Sequence, residues 1–151
     1  MTAALSRIGA ALTLFFAGMT GAWAYDTPEE LVQAIYKPLL KGEMGAEDIT
    51  WFSAETRAAW EAYLEEDPYG LGFSPIVDGQ DFDLTAFEMG VAQTVDGRVE
   101  IAVRFENFGE PRELVYVLVD EPDGWAVDDI RSPGGEYPWS VREMLAQETA
   151  E

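Results

Sequence analysis

Apolar and polar positions change rhythm three times along this chain. Ile8 to Met19 is an apolar run of twelve residues. From Leu31 the apolar positions Leu31, Ala34, Ile35 and Leu39 recur at helical spacing. Thr27-Pro28-Glu29-Glu30 just ahead supplies a capping threonine, a proline suited to the first turn and the glutamate of a capping box. Pro38 shortens or kinks the end of this helix. After a loop over Gly42 to Thr50, Ser53 caps a second helix whose apolar stripe is Phe52, Ala59, Trp60, Tyr63 and Leu64. That helix ends in Glu65-Glu66-Asp67-Pro68, three acids at the negative end of the helix dipole, which either bind a cation or are tolerated at small cost.

Beyond a glycine- and turn-rich segment from Tyr69 to Asp81, the period becomes two. Runs near 83–95, 98–106, 112–120 and 124–131 read as four strands. Asp96-Gly97 predicts a two-residue hairpin, Asn107 to Pro111 a longer loop, and Glu121-Pro122-Asp123-Gly124 a β-turn. Short connections require antiparallel neighbours, so the four strands form a meander. Val99, Ile101, Val103 and Phe105 alternate with Glu100, Ala102, Arg104 and Glu106, one buried face against one wetter face. Leu114 to Val119 is apolar on both faces, which predicts a central strand covered on both sides. Ser140 to Gln147 predicts a short final helix burying Val141, Met144 and Leu145. The expected fold is α+β: two N-terminal helices packed on a curved four-stranded antiparallel meander, closed by a short C-terminal helix.

The front of the chain changes the picture. Arg7, the apolar run and the A-x-A site Ala22-Trp23-Ala24 make residues 1–24 a secretory signal peptide, with 25–151 as a single domain beginning at Tyr25. The competing assignment is an uncleaved anchor. Ile8 to Ala24 carries no charge but falls short of the roughly 20 residues a spanning helix needs, and glycines at 9, 18 and 21 weaken it. No cysteine follows the run, so no acylation site exists there, and no membrane anchor is expected to remain after cleavage. The expected location is periplasmic or secreted. With no cysteine, stability in that compartment must come from packing.

Charge narrows the partners. The chain has 29 acidic and 9 basic residues, a formal net charge of -20, and losing Arg7 with the signal makes it -21. Such an acidic protein repels nucleic acid and anionic membrane surfaces, stays soluble, and attracts cations or a basic protein. The 13% aromatic content argues against a disordered acidic tail.

Two stretches carry a resemblance. "YDTPEELVQAIYKPLL" after the signal, and "GWAVDDIRSP" near the end, resemble uncharacterised exported bacterial proteins of the nuclear-transport-factor-two-like (cystatin-like) superfamily. Phe52, Thr56 and Leu64 approximate the group's second-helix pattern. Gly124, Trp125, Val127, Asp129 and Ile130 match its terminal-strand pattern. The resemblance implies a cone-shaped α+β fold and an exported protein. The superfamily holds isomerases, dehydratases, ligand carriers and interaction domains, so it does not select an activity.

Candidate chemistry is sparse. Without histidine or cysteine, Ser-His and Cys-His nucleophiles and ordinary zinc sites are excluded, and no phosphate-cradling glycine loop or cofactor fingerprint is present. No cofactor is expected. The adjacent acids Asp128 and Asp129 are the catalytic candidates. Alternation sends them to opposite faces unless a bulge intervenes, and an acid among apolar neighbours must be paired, hydrogen-bonded or raised in pKa. Arg131, Arg104, Arg112 or strand-end amides are the expected partners if the role is structural. Asp78, Asp81, Asp83 and Glu88 are weak metal candidates, since no start point gives the EF-hand spacing. Trp51, Phe52, Tyr69, Phe73, Tyr116, Trp125, Tyr137 and Trp139 either rim a pocket or plug the open end of the cone.

The sequence therefore favours an exported non-catalytic domain that binds a small ligand or a protein partner. A carboxylate-driven isomerase or dehydratase-like enzyme, and an acidic inhibitor of a basic toxin or hydrolase, are the alternatives.

Overall fold

A computed structural model describes residues 25–147, so the signal assigned to residues 1–24 lies outside the described residues. The elements are α1 (Pro28–Leu39), a 3-10 turn (Asp48–Trp51), α2 (Ala54–Glu66), β1 (Leu84–Met89), β2 (Gln93–Val95), β3 (Arg98–Asn107), β4 (Glu110–Glu121), β5 (Gly124–Ser132), β6 (Trp139–Ser140) and α3 (Val141–Gln147). The fold is α+β, three helices with an open antiparallel sheet. No helix among the described residues is long and apolar enough to cross a membrane.

Both leading helices start where the capping residues direct. Thr27 Oγ1 accepts from the Glu30 amide at 3.2 Å, and Ser53 Oγ accepts from the Thr56 amide at 3.3 Å. The return bond of the capping box is displaced by one residue: Glu30 Oε2 accepts from the Asp26 amide, not from Thr27. α1 buries Leu31, Val32, Ile35, Tyr36 and Leu39, a wider stripe than spacing alone suggested. α2 buries only Thr56, Trp60 and Tyr63; Ala59 is exposed and Leu64 half-buried. Ala59 sits on the solvent side because the chain enters α2 through Phe52, which pairs with β5 at Val127 and turns the 56–60–63 face inward.

The sheet has six strands where four were expected, in the order β1-β3-β4-β5-β6 with β2 also on β3; the short β6 adds an edge strand on β5. The strand expected over 83–95 is thus two pieces on one neighbour. They break at Gly90, whose amide donates to the Ala102 carbonyl at 2.7 Å. A β-carbon at Gly90 would sit 3.1 Å from that carbonyl oxygen, a tight contact that any larger residue would have to relieve by a small shift. Asp96 and Gly97 form the expected hairpin with φ of 51° and 79°. The longer loop expected at 107–111 is also a tight hairpin: Phe108 and Gly109 take φ of 50° and 77°, and Pro111 pairs opposite Glu106. Phe108 hides this turn in the sequence, being a residue type that rarely adopts positive φ.

β4 is the central strand, as its apolar run requires. Leu114, Tyr116 and Leu118 are fully buried and face the same core as Ile101, Val103, Phe105, Val127 and Ile130. The opposite face is covered differently from expectation. Glu100 on β3 and Arg131 on β5 form an ion pair across β4, over Val117 and Val115, their register partners. Their aliphatic stems do the work a second layer would do. The irregular 67–82 segment closes the core edge. Ser74 and Gly79 bond each other's backbone, and the turn between them buries Ile76 and Val77.

Candidate functional site

The paired acids sit on a β-bulge. Along β5, Asp129 pairs with Val117 while Val127 pairs with Leu118, so Asp128 is the extra residue. The bulge defeats simple alternation, and both carboxylates are buried, at 2% and 8% relative exposure. Each is bonded to the serine that caps a helix. Ser53 Oγ, at the start of α2, donates to Asp128 Oδ1 at 2.9 Å. Ser140 Oγ, at the start of α3, donates to Asp129 Oδ2 at 2.8 Å and accepts from the Glu143 amide.

Further bonds complete the arrangement. Asp128 Oδ2 accepts from Arg98 Nη1 and from Arg142 Nη1, the latter at 2.7 Å. Its backbone carbonyl accepts from Thr56 Oγ1 at 2.7 Å, and the Ser53 amide donates to the Val127 carbonyl. Asp129 Oδ1 accepts from the Arg142 amide at 3.1 Å. The bulge therefore fastens two helix N-termini to one strand. The expected arginine partners are corrected. Arg104 pairs with Glu113, and Arg112 with Asp78 and Glu110, because their strand registers place them away from the bulge; Arg131 gives its ion pair to Glu100 and reaches Asp129 only through its charge. Sequence reasoning missed Arg98, Arg142 and Ser140; the Ser53 cap was its one usable signal.

Burial pushes the Asp129 carboxyl up from its ordinary value, opposed by the Arg142 amide, the Ser140 hydroxyl and the Arg131 charge. A carboxyl that holds its proton more tightly folded than unfolded favours the fold at low pH. That contribution is lost as pH rises from the ordinary carboxylate value through the raised one. Asp129→Asn keeps a carbonyl for the Arg142 amide and removes the desolvated charge. Its stability at pH 7, measured by urea unfolding, is expected to lie within about 1 kcal/mol of the parent, without the parent's loss of this contribution as pH rises through the carboxylate range.

The space between the first helix and the sheet is packed with aromatic side chains. The Tyr36 hydroxyl donates to the Ile76 carbonyl at 2.7 Å and lies 2.8 Å from the Tyr116 hydroxyl, which donates to it. Tyr36 also packs on Phe87 and Phe105, with ring centroids 4.6 and 5.7 Å away. Burial raises both phenol pKa values, so both stay protonated.

The other candidates scatter. Phe52 packs at a tilt on Trp60 in the core, and Tyr116 meets Tyr36 edge-on; Trp51 leans on Tyr25, and Trp125 is half-buried. Phe73 meets Trp139 edge-on at 5.2 Å, whereas Tyr69 and Tyr137 are exposed. Asp78 accepts from Trp139 Nε1, Asp81 from the Phe82 amide, and the Asp83 amide donates to Asn107, while Glu88 pairs in register with Arg104. Asp67 accepts from the Tyr69 amide. Among the described residues no group of three acids is placed to hold a metal ion.

Two open depressions mark the surface. One, of about 530 Å³, is lined by Asp78, Glu88, Arg104, Arg112 and the glycines 134 and 135, among others. The second, of about 320 Å³, lies on the outer sheet face between Arg98, Arg131, Arg142, Glu100, Val95 and Val117.

No family model matches the chain. No curated protein matches it. Among solved structures, the chain is similar to a phospholipid-binding protein from Ralstonia solanacearum in complex with a phospholipid, at 17% identity and a TM-score of 0.40. The likeness covers 83% of this chain and 62% of that one.

Proposed function

We propose that this protein is an exported, non-catalytic domain that binds a ligand or partner on its surface. The observation that carries this is the filled interior. Tyr36, Tyr116, Phe87 and Phe105 occupy the space between helix and sheet where an enclosed pocket would lie. Proton-transfer catalysis needs an acid free to exchange with a substrate. Asp128 is held by two arginines and a serine, and Asp129 by a serine and an amide, which supports a structural role for both. Thermal-shift screening of the purified protein against ligand pools, with cross-linked pull-down from an exported fraction, tests the proposal. A specific stabilisation or a specific cross-linked partner is expected; neither appearing contradicts it.

A second reading is favoured by where the cations are spent. Arg98, Arg104, Arg112, Arg131 and Arg142 all sit in ion pairs, so the excess of acids over bases is left facing solvent. A basic protein partner suits that field. Its association should weaken steeply between low and physiological ionic strength, where the screening length shrinks to about 8 Å. Binding that is independent of salt removes this partner class.

A further inference from the structure

We infer that the outer-face depression at Arg98, Arg131 and Arg142 binds a small organic oxyanion, a carboxylate or phosphate carried on an apolar body. This rests on the surface-binding proposal and names its ligand class. Residues 25–151 contain only eight cationic side chains, and three of them converge here. All three are arginines, whose planar forks match the two oxygens of a carboxylate or phosphate.

Two of the three are fixed from beneath. Arg98 and Arg142 share one buried oxygen, Asp128 Oδ2, so two positive charges are held together by a single negative one. Arg142 has one further ion-pair partner, Glu55, which is 70% exposed on its side chain and therefore well screened. The two arginine side chains stay partly open to solvent, at 45% and 33%. Preorganisation of this kind lowers the ordering cost of binding.

Arg131 supplies the mobile part. Its Nη2 is engaged by Glu100, but its Nε is buried without a hydrogen-bond partner. Re-aiming the side chain at a bound oxyanion would give that nitrogen an acceptor and release Glu100 to water. Val95 and Val117 provide an apolar floor for the body of the ligand. Glu100 is the competitor, since it occupies the guanidinium the ligand would use. Asp129 and Asp96 also line the depression; both oxygens of Asp129 are engaged by Ser140 and the Arg142 amide, and its charge still acts on Arg131.

The test is calorimetric titration of the full chain with benzoate, phenyl phosphate and inorganic phosphate. Benzoate or phenyl phosphate binding more tightly than inorganic phosphate is expected, and the better of the two tells which oxyanion the fork prefers. Arg131→Lys keeps the charge but loses the fork, and should weaken binding about tenfold. Glu100→Gln should tighten it about threefold or more by removing the competitor, an outcome a purely structural ion pair does not produce. Arg104→Lys, in the other depression, should change nothing. Equal losses in Arg131→Lys and Arg104→Lys, or unchanged binding in Arg131→Lys, overturn this site while leaving surface binding standing. No heat from any probe at millimolar concentration overturns it too; the broader proposal falls only to the ligand-pool and cross-linking result.

Discussion

Tyr36→Ala should destabilise the protein by about 3–5 kcal/mol in urea unfolding, the range for emptying a buried aromatic site. Tyr36 is completely buried and is the hub of the interior, in contact with Phe87, Phe105 and Tyr116. The shape is only part of the effect. Tyr36→Phe keeps the ring but strands the Ile76 carbonyl and removes the acceptor of the Tyr116 hydroxyl. That loss is expected to be about 1–3 kcal/mol, the desolvation cost of buried polar groups left unpaired. If the interior served a ligand instead, Tyr36→Phe would change binding and leave stability nearly untouched.

The second large effect is expected at Asp128. Asp128→Ala removes the acceptor of Ser53 and of two arginines at once. Breaking a fully buried ion pair costs about 3–5 kcal/mol. Arg98 and Arg142 remain partly open to water, so about 2–3 kcal/mol is the reasonable figure here. A double-mutant cycle separates the parts: Asp128→Ala combined with Ser53→Ala should be clearly less destabilised than the sum of the singles, because the two side chains share one bond. Additive losses would mean that Ser53 and Asp128 act independently.

Much of the scaffold is legible in the sequence because local chemistry and global packing agree there. Thr27 and Ser53 cap helices, Asp96-Gly97 turns a hairpin, and Leu114 to Val119 marks the central strand. The failures are equally local. Phe108 hides a tight turn behind a side chain that normally avoids positive φ. Gly90 looks like one more glycine, yet it divides a strand because the Ala102 carbonyl lies against it. Ala59 fits the helical stripe by period but is turned outward by the entry of the chain through Phe52.

The acids show the limit most clearly. That one of Asp128 and Asp129 needs a partner follows from apolar neighbours alone. Which partner does not, because the bulge changes the facing of both residues and brings in Arg98, Ser140 and Arg142 from 11 to 30 positions away. Side-chain covering of Val117 by the Glu100–Arg131 pair was likewise invisible, since an apolar face gives no sign of what will lie over it.

The most direct measurement is the unfolding free energy of Asp128→Asn, which keeps the shape of the side chain and removes its charge. If Asp128 belongs to the fold, this variant is less stable than the parent by at least about 1 kcal/mol, in line with the loss of its charge-assisted hydrogen bonds. A carboxylate kept for chemistry at the expense of the fold behaves in the opposite way, and its removal leaves stability equal or raises it. An Asp128→Asn protein as stable as the parent, or more so, would contradict the structural role assigned to Asp128.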